Sequence, residues 1–332
     1  MVRVLRTAAI AIGVVWAAVP AFAQDKVIFS LNWVPYGLHY GIFAAEAQGY
    51  YRDAKLDMEI QRGFGSGDTV KRTATGVADI GMADMASLII GRGNGLAVKQ
   101  VAIVLDRSPD AIFYVKGVGI NSLKDLPGHS LGASVGETPL NLLPALAANA
   151  GFDASKINIV NLTPPAKFPT LVSKKVDAIV AFLTEEPAIR SAAEKAGVEV
   201  DRFIYSDFGV DYYSIGIIAS DEMLAKKGDV VRRVVDATMR GYAWAMKNPE
   251  AAADAYVKRF PESSRALTLA QWKITMDHML TDRSRQNGLG SFDRPKVEKT
   301  LELIKKYQQG KADITVDDIY TSQYLTKVEV PK

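Results

Sequence analysis

From residue 24 onward, short apolar runs of strand length alternate with longer stretches whose apolar positions recur at helical spacing. Residues 26–31 are rich in β-formers and run into a turn. Residues 56–61 alternate apolar and polar side chains, and both segments read as strands. Further strands are predicted at 78–82 and 98–105, with helices over 38–49 and 69–75. A second unit begins near residue 109, with strands at 111–115, 130–134, 157–162 and 176–182 and helices over 138–150, 168–174 and 186–196. Residues 122–128 form a capped turn or short helix, and 202–205 leads to a glycine bend at Phe208-Gly209-Val210. Residues 213–219 read as a strand returning to the first unit. The last third is predicted helical, over 229–247, 250–259, 267–280 and 294–309, with Asn248-Pro249 stopping the first of these.

Strand–helix alternation of this kind predicts an α/β fold of mainly parallel sheets with helices on their faces. A chain of 332 residues is also long enough to split into two cores. No long polar linker appears, so the units are expected to be joined by short crossings near 108–112 and 208–214. This places 24–108 and 215–332 in lobe 1 and 109–214 in lobe 2.

Residues 1–23 depart from this pattern. Arg3 and Arg6 precede the apolar run Ala8 to Val19, and Ala21-Phe22-Ala23 follows. A basic start, an apolar stretch too short to span a bilayer comfortably and an A-x-A site predict a signal peptide cleaved after Ala23. A lipid anchor would need a cysteine after the cut, and the chain has none. The expected product is a soluble periplasmic protein that folds without disulfides. Cleavage leaves 309 of the 332 residues, with 38 of the 40 basic side chains and all 37 acids. So balanced a charge offers no field for gathering nucleic acid or anionic membrane. At 48% hydrophobic and 23% charged residues, the composition is that of an ordinary globular protein.

Several stretches resemble one family. Leu31-Asn32-Trp33-Val34-Pro35 and Gly41-Ile42-Phe43-Ala44-Ala45 are similar to its opening strand, aromatic turn and first helix. Glu46 to Tyr51, Gly65-Ser66-Gly67, Gly76 to Gly81, Ser122 to Gly128 and Asn248 to Ala252 follow in the family's order and spacing. The chain is thereby identified as resembling the extracytoplasmic solute-binding proteins of ABC importers, in the NMT1/THI5-like group that includes binders of thiamine pyrimidine precursors and adjoins sulfonate, taurine and nitrate binders. The resemblance implies a two-lobed clamp of the type II periplasmic-binding-protein fold that closes by a hinge on a small molecule. It also implies partners: a membrane permease, its ATPase indirectly, and no obligate second copy. One relative in the group synthesises the pyrimidine, with an iron site attributed to a cysteine-rich segment. A chain without cysteine cannot inherit that chemistry, so binding rather than catalysis is expected.

Candidate contacts fall at strand ends, where open α/β sheets bind ligands. Trp33, Tyr36 and His39 follow the first strand and can stack on a planar ligand while their polar atoms orient it, or else simply pack over the sheet. Asn32 stands where pyrimidine binders of the family carry an acid. Its amide offers both a donor and an acceptor, which leaves the solute's identity open. Ser66 lies in a glycine turn entering a helix, without the Lys-Ser/Thr ending of a phosphate loop. Asp84 occupies the next strand-to-helix turn, where helix capping is the competing role. In the second unit, Ser134 and Glu137 open a helix and can hydrogen-bond a ligand, although Glu137 also suits a simple first-turn acid. Pyrimidine binders of the family place a glutamate after the strand ending near 182, which matches Glu185 ahead of Glu186. Tyr212, or its neighbour Tyr213, sits at the return crossing and can close an aromatic sandwich.

The three histidines are scattered with no ligand spacing, and no nucleophile elbow occurs, so no metal, catalytic residue or cofactor is expected. The leading expectation is an importer-associated binder of a small aromatic or heterocyclic solute, a thiamine pyrimidine precursor being favoured. An aromatic acid, sulfonate, taurine or nitrate is the alternative, for which Arg107 is the evident cation. A pyrimidine-synthesising enzyme or a periplasmic sensor domain represents a different class.

Overall fold

A computed structural model describes residues 24–307 and 313–331. The predicted export segment and its cleavage site lie outside the described residues, as does the end of the last predicted helix. Ten strands appear in chain order: β1 (Asp25–Ser30), β2 (Leu56–Gln61), β3 (Ile80–Asp84), β4 (Val98–Ile103), β5 (Asp110–Val115), β6 (Ser130–Ala133), β7 (Asn158–Asn161), β8 (Ala178–Phe182), β9 (Val200–Ile204) and β10 (Ile215–Ser220). They form two five-stranded sheets, ordered β2-β1-β3-β10-β4 and β7-β6-β8-β5-β9.

Each sheet holds one strand against the direction of the other four. β10 pairs antiparallel with both β3 and β4, and β5 pairs antiparallel with both β8 and β9. These two strands lie at the ends of the two crossings, 104–109 and 205–214, that carry the chain between the sheets. Every residue of β3, β5 and β8 is buried. Central strands covered on both faces therefore read as continuous apolar runs rather than alternating ones.

Three helices differ from expectation for physical reasons. Met85–Gly93 starts at the strand-to-helix turn expected at Asp84, but its extent was not predicted, because it is buried nearly all round and has no polar face to set a period. Asp221–Lys247 is two helical stretches that meet at a kink at Lys227 (φ −134°, ψ 36°), and the second starts where the helix over 229–247 was expected. The short stretch before the kink was not expected; Ser220 caps it by accepting from Met223 N–H at 3.1 Å. The predicted helix over 138–150 is two, Thr138–Asn141 and Leu143–Ala150.

The helix Tyr40–Ala47, which carries the first binding loop, packs closely on Asp221–Lys247. A β-carbon at Gly241 would lie 2.1 Å from the Gly41 carbonyl oxygen, a backbone atom that cannot swing away. Gly241→Ala is therefore expected to lower stability by about 1–3 kcal/mol through overpacking. Thermal unfolding measures this, and an unchanged Tm would show that the helices can part.

Candidate functional site

The site begins with the turn after β1. Leu31 N–H reaches Gln61 O at 2.8 Å, Gly63 N–H reaches Trp33 O at 3.0 Å, and Gly65 N–H reaches Asn32 O at 2.9 Å. A side chain at position 63 would meet the Leu31 carbonyl at 2.1 Å, so only glycine lets the two loops lie together. His39 braces the turn from below. Its Nδ1 accepts the Tyr36 N–H at 3.2 Å, so the proton sits on Nε2, which bonds Asn32 Oδ1 at 2.9 Å. Burial pushes the imidazole down to about 3, keeping it neutral. With Oδ1 engaged, the Asn32 amide turns its two N–H donors free of any partner among the described residues.

The opposing wall comes from the end of β8. A short 3₁₀ turn, Leu183–Glu185, follows Phe182, and Glu185 Oε2 accepts the Phe182 N–H at 3.1 Å. Glu185 Oε1 accepts the Trp33 indole N–H at 3.1 Å across the cleft, and the Tyr36 hydroxyl meets Thr184 Oγ1 at 2.9 Å. Glu186 points away and pairs with Arg190 at 2.6 Å and Arg202 at 2.8 Å. Two more bonds join the sheets' loops: Ser87 Oγ to Thr138 Oγ1 at 2.9 Å, and Gly67 N–H to Gly136 O at 3.2 Å. Loops of the two sheets thus touch across the cleft.

Between these walls lies a small cavity. Asn32, Trp33, Tyr36, Gly65 and Ser66 line one side, and Glu137, Thr138, Pro139, Phe182 and Glu185 the other. Six of the ten residues expected from sequence therefore meet around one space. The other four stand behind its wall. His39 is the brace just described. The Asp84 carboxylate caps the helix Met85–Gly93, taking Ala86 N–H at 2.8 Å and the Ser214 hydroxyl at 2.6 Å. Ser134 gives its N–H to Glu137, and Tyr212 spends its hydroxyl on Asp110 Oδ2 at 2.6 Å. Tyr213 does not close an aromatic sandwich either; its hydroxyl accepts the Asp293 N–H at 2.9 Å.

Sequence reasoning missed the cation. Arg107 is exposed, whereas Lys167 is fully buried at the start of the helix Lys167–Val172. Its ammonium bonds Glu137 and lies 4.9 Å from the centre of the Trp33 ring. Burial raises the Glu137 carboxyl while Lys167 opposes the rise. The pair is neutral when both are charged, which leaves Glu185 as the one lining carboxylate without a cation. Each of its oxygens retains an accepting position beyond the bonds described. The cavity thus offers aromatic faces at Trp33, Tyr36 and Phe182, a carboxylate acceptor, and amide donors at Asn32.

Comparison with known proteins places this geometry. The model of the family described as NMT1/THI5 like matches residues 37–252. The riboflavin-binding protein RibY of Chloroflexus aurantiacus is 26% identical over 91% of this chain and 86% of its own. The formylaminopyrimidine-binding protein of Halalkalibacterium halodurans is 22% identical, covering 90% and 91% respectively. A yeast enzyme, the 4-amino-5-hydroxymethyl-2-methylpyrimidine phosphate synthase THI5 of Saccharomyces cerevisiae, is 25% identical over 76% of each chain. Among solved structures, the alkanesulfonate-binding protein SsuA of Xanthomonas axonopodis pv. citri superposes with a TM-score of 0.67 at 13% identity, covering 90% of this chain and 98% of that one. The fold is that of the periplasmic binding proteins, and the chain belongs to the NMT1/THI5-like family.

Proposed function

We propose that this chain is the extracytoplasmic solute-binding component of an ABC importer, and that its solute is a single-ring aminopyrimidine of the thiamine-precursor kind. Residues 24–108 with 215–332 act as one jaw and 109–214 as the other, hinged at the two crossings between the sheets. The observation that carries this reading is the Trp33–Glu185 bond across a small aromatic cavity. A flat ring stacked beside Trp33 would give an exocyclic amine or ring N–H to the Glu185 carboxylate, a charge-assisted bond. The Asn32 amide would give its donors to a ring nitrogen or formyl oxygen. Contacts from both jaws favour the closed form, which a permease can then distinguish from the empty one.

The pairing of Lys167 with Glu137 disfavours sulfonates, because among the described residues it leaves no unpaired cation at the cavity. The kinship with a synthase is compatible with a shared pyrimidine-shaped pocket, and the lack of cysteine argues against shared catalysis.

A thermal-shift series on residues 24–332 tests this with aminopyrimidines and their formyl derivatives, riboflavin, and an alkanesulfonate. A true ligand at 100 times its Kd adds about 2.7 kcal/mol. Stabilisation by aminopyrimidines alone is expected. Stabilisation by riboflavin or the sulfonate instead would keep the clamp and remove the pyrimidine.

A further inference from the structure

Beneath the cavity floor lie two buried acids, Asp84 and Asp110, that the binding chemistry above does not use. They come from opposite sheets: Asp84 ends β3 and Asp110 begins β5. The crossing 205–214 supplies the groups between them. The Tyr212 hydroxyl donates to Asp110 Oδ2 at 2.6 Å, and the Ser214 hydroxyl to Asp84 Oδ2 at 2.6 Å. Ser66, on the cavity wall, accepts the Asp84 N–H at 3.1 Å, so the cluster touches the site from behind.

No lysine or arginine among the described residues offsets either acid directly. The other titratable groups facing the cluster are Tyr205, which donates to Pro139 O at 2.7 Å, and Glu137, already neutralised by Lys167. Neither supplies positive charge. Two carboxylates this deep in one dry site cannot both be ionised at low cost.

Hydrogen bonding decides which one keeps the proton. Asp84 is served as an anion, by two backbone N–H groups of its helix and by Ser214. Asp110 has only Tyr212, and its Oδ1 has no partner. An ionised oxygen there would be buried and unsatisfied, whereas a protonated one carries little charge to solvate. Burial raises both acids, Asp84 to about 7 and Asp110 well above its ordinary value, as this arrangement requires.

We propose that Asp110 holds a proton in the closed molecule and loses it when the lobes part, so that closure on a solute takes up a proton. Parting the lobes separates the two acids or admits water between them, and either change lets both ionise. By linkage, closure then weakens as pH rises through the range where the closed cluster would deprotonate. The inference rests on the clamp reading but on no particular solute, so failure of pyrimidine binding would leave it standing.

The test fixes the closed form. Ser87 and Thr138 touch across the lobes and the chain has no cysteine of its own, so S87C/T138C gives a single cross-lobe disulfide. Infrared titration then follows the carbonyl band of an undissociated carboxylic acid. Above about pH 8, past the range near 7 in which burial places Asp84, the oxidised protein should retain one such band, the D110N version should lack it there, and reduction should lower its midpoint by about one pH unit or more, a tenfold loss of proton affinity. A band that vanishes with the surface carboxylates, that survives D110N above the Asp84 range, or that ignores reduction overturns the proposal. Should D110N fail to fold, D84N serves instead. Removing the like charge should lower the midpoint of the remaining acid, and an unchanged midpoint overturns the sharing.

Discussion

Replacing Glu185 with glutamine is expected to weaken solute binding by about 1.5–3 kcal/mol, roughly 10- to 150-fold in Kd. The substitution keeps the side chain's size and one oxygen, which can serve either the Trp33 indole or the Phe182 N–H, each 3.1 Å away, but not both. What it removes is the negative charge that strengthens a bond to an amine or ring N–H. The neighbouring Glu186→Gln is the internal control, because that carboxylate is turned toward Arg190 and Arg202. Calorimetric titration of the two variants separates the roles. Equal affinity for wild type and E185Q would show that the ligand is anchored elsewhere, and a large loss in E186Q would mean the jaw had been distorted. Trp33 offers a second readout, since it is 6% exposed in the closed form and its emission should follow closure.

The residues legible in the sequence share one property: their role follows from local position. Strand ends next to glycine turns place Asn32, Trp33, Tyr36 and Ser66, because in an open α/β sheet these positions face the crevice wherever the rest of the chain goes, and the family resemblance picked out Glu185 at the end of β8. Period-2 alternation likewise marked β2 at its observed limits. Residues whose role depends on distant packing were misjudged. His39 carries donor and acceptor atoms suited to a ligand, yet the fold folds its ring under the turn it belongs to. Asp84 and Tyr212 face partners 130 and 102 residues away, Ser214 and Asp110, which no local pattern indicates. The extent of Met85–Gly93 was hidden for the same reason, since a helix surrounded by protein has no solvent face to write a period.

Lys167 is the clearest case of this limit. Nothing local singles out this lysine after Pro164-Pro165-Ala166, and the structure buries it completely between Glu137 and the face of Trp33. Lys167→Met is expected to cost about 3–5 kcal/mol of stability at neutral pH, because it leaves Glu137 buried as an uncompensated acid. The loss should depend on pH in a definite sense. Burial already raises the folded-state Glu137 carboxyl above its ordinary 4.5, and removing the opposing ammonium raises it further. Between the unfolded and folded values the folded chain binds the extra proton, so stability falls as pH rises through that interval. Below about pH 4.5 Glu137 is protonated in both states, and only the lost packing and the contact with Trp33 should remain. Urea unfolding of K167M and wild type at pH 4 and pH 8 should therefore give a small difference at the lower pH and a large one at the higher. The double variant E137Q/K167M should recover most of the loss, since a neutral pair of similar volume carries no desolvated charge. A difference independent of pH would mean that Lys167 acts through packing alone and that Glu137 does not depend on it.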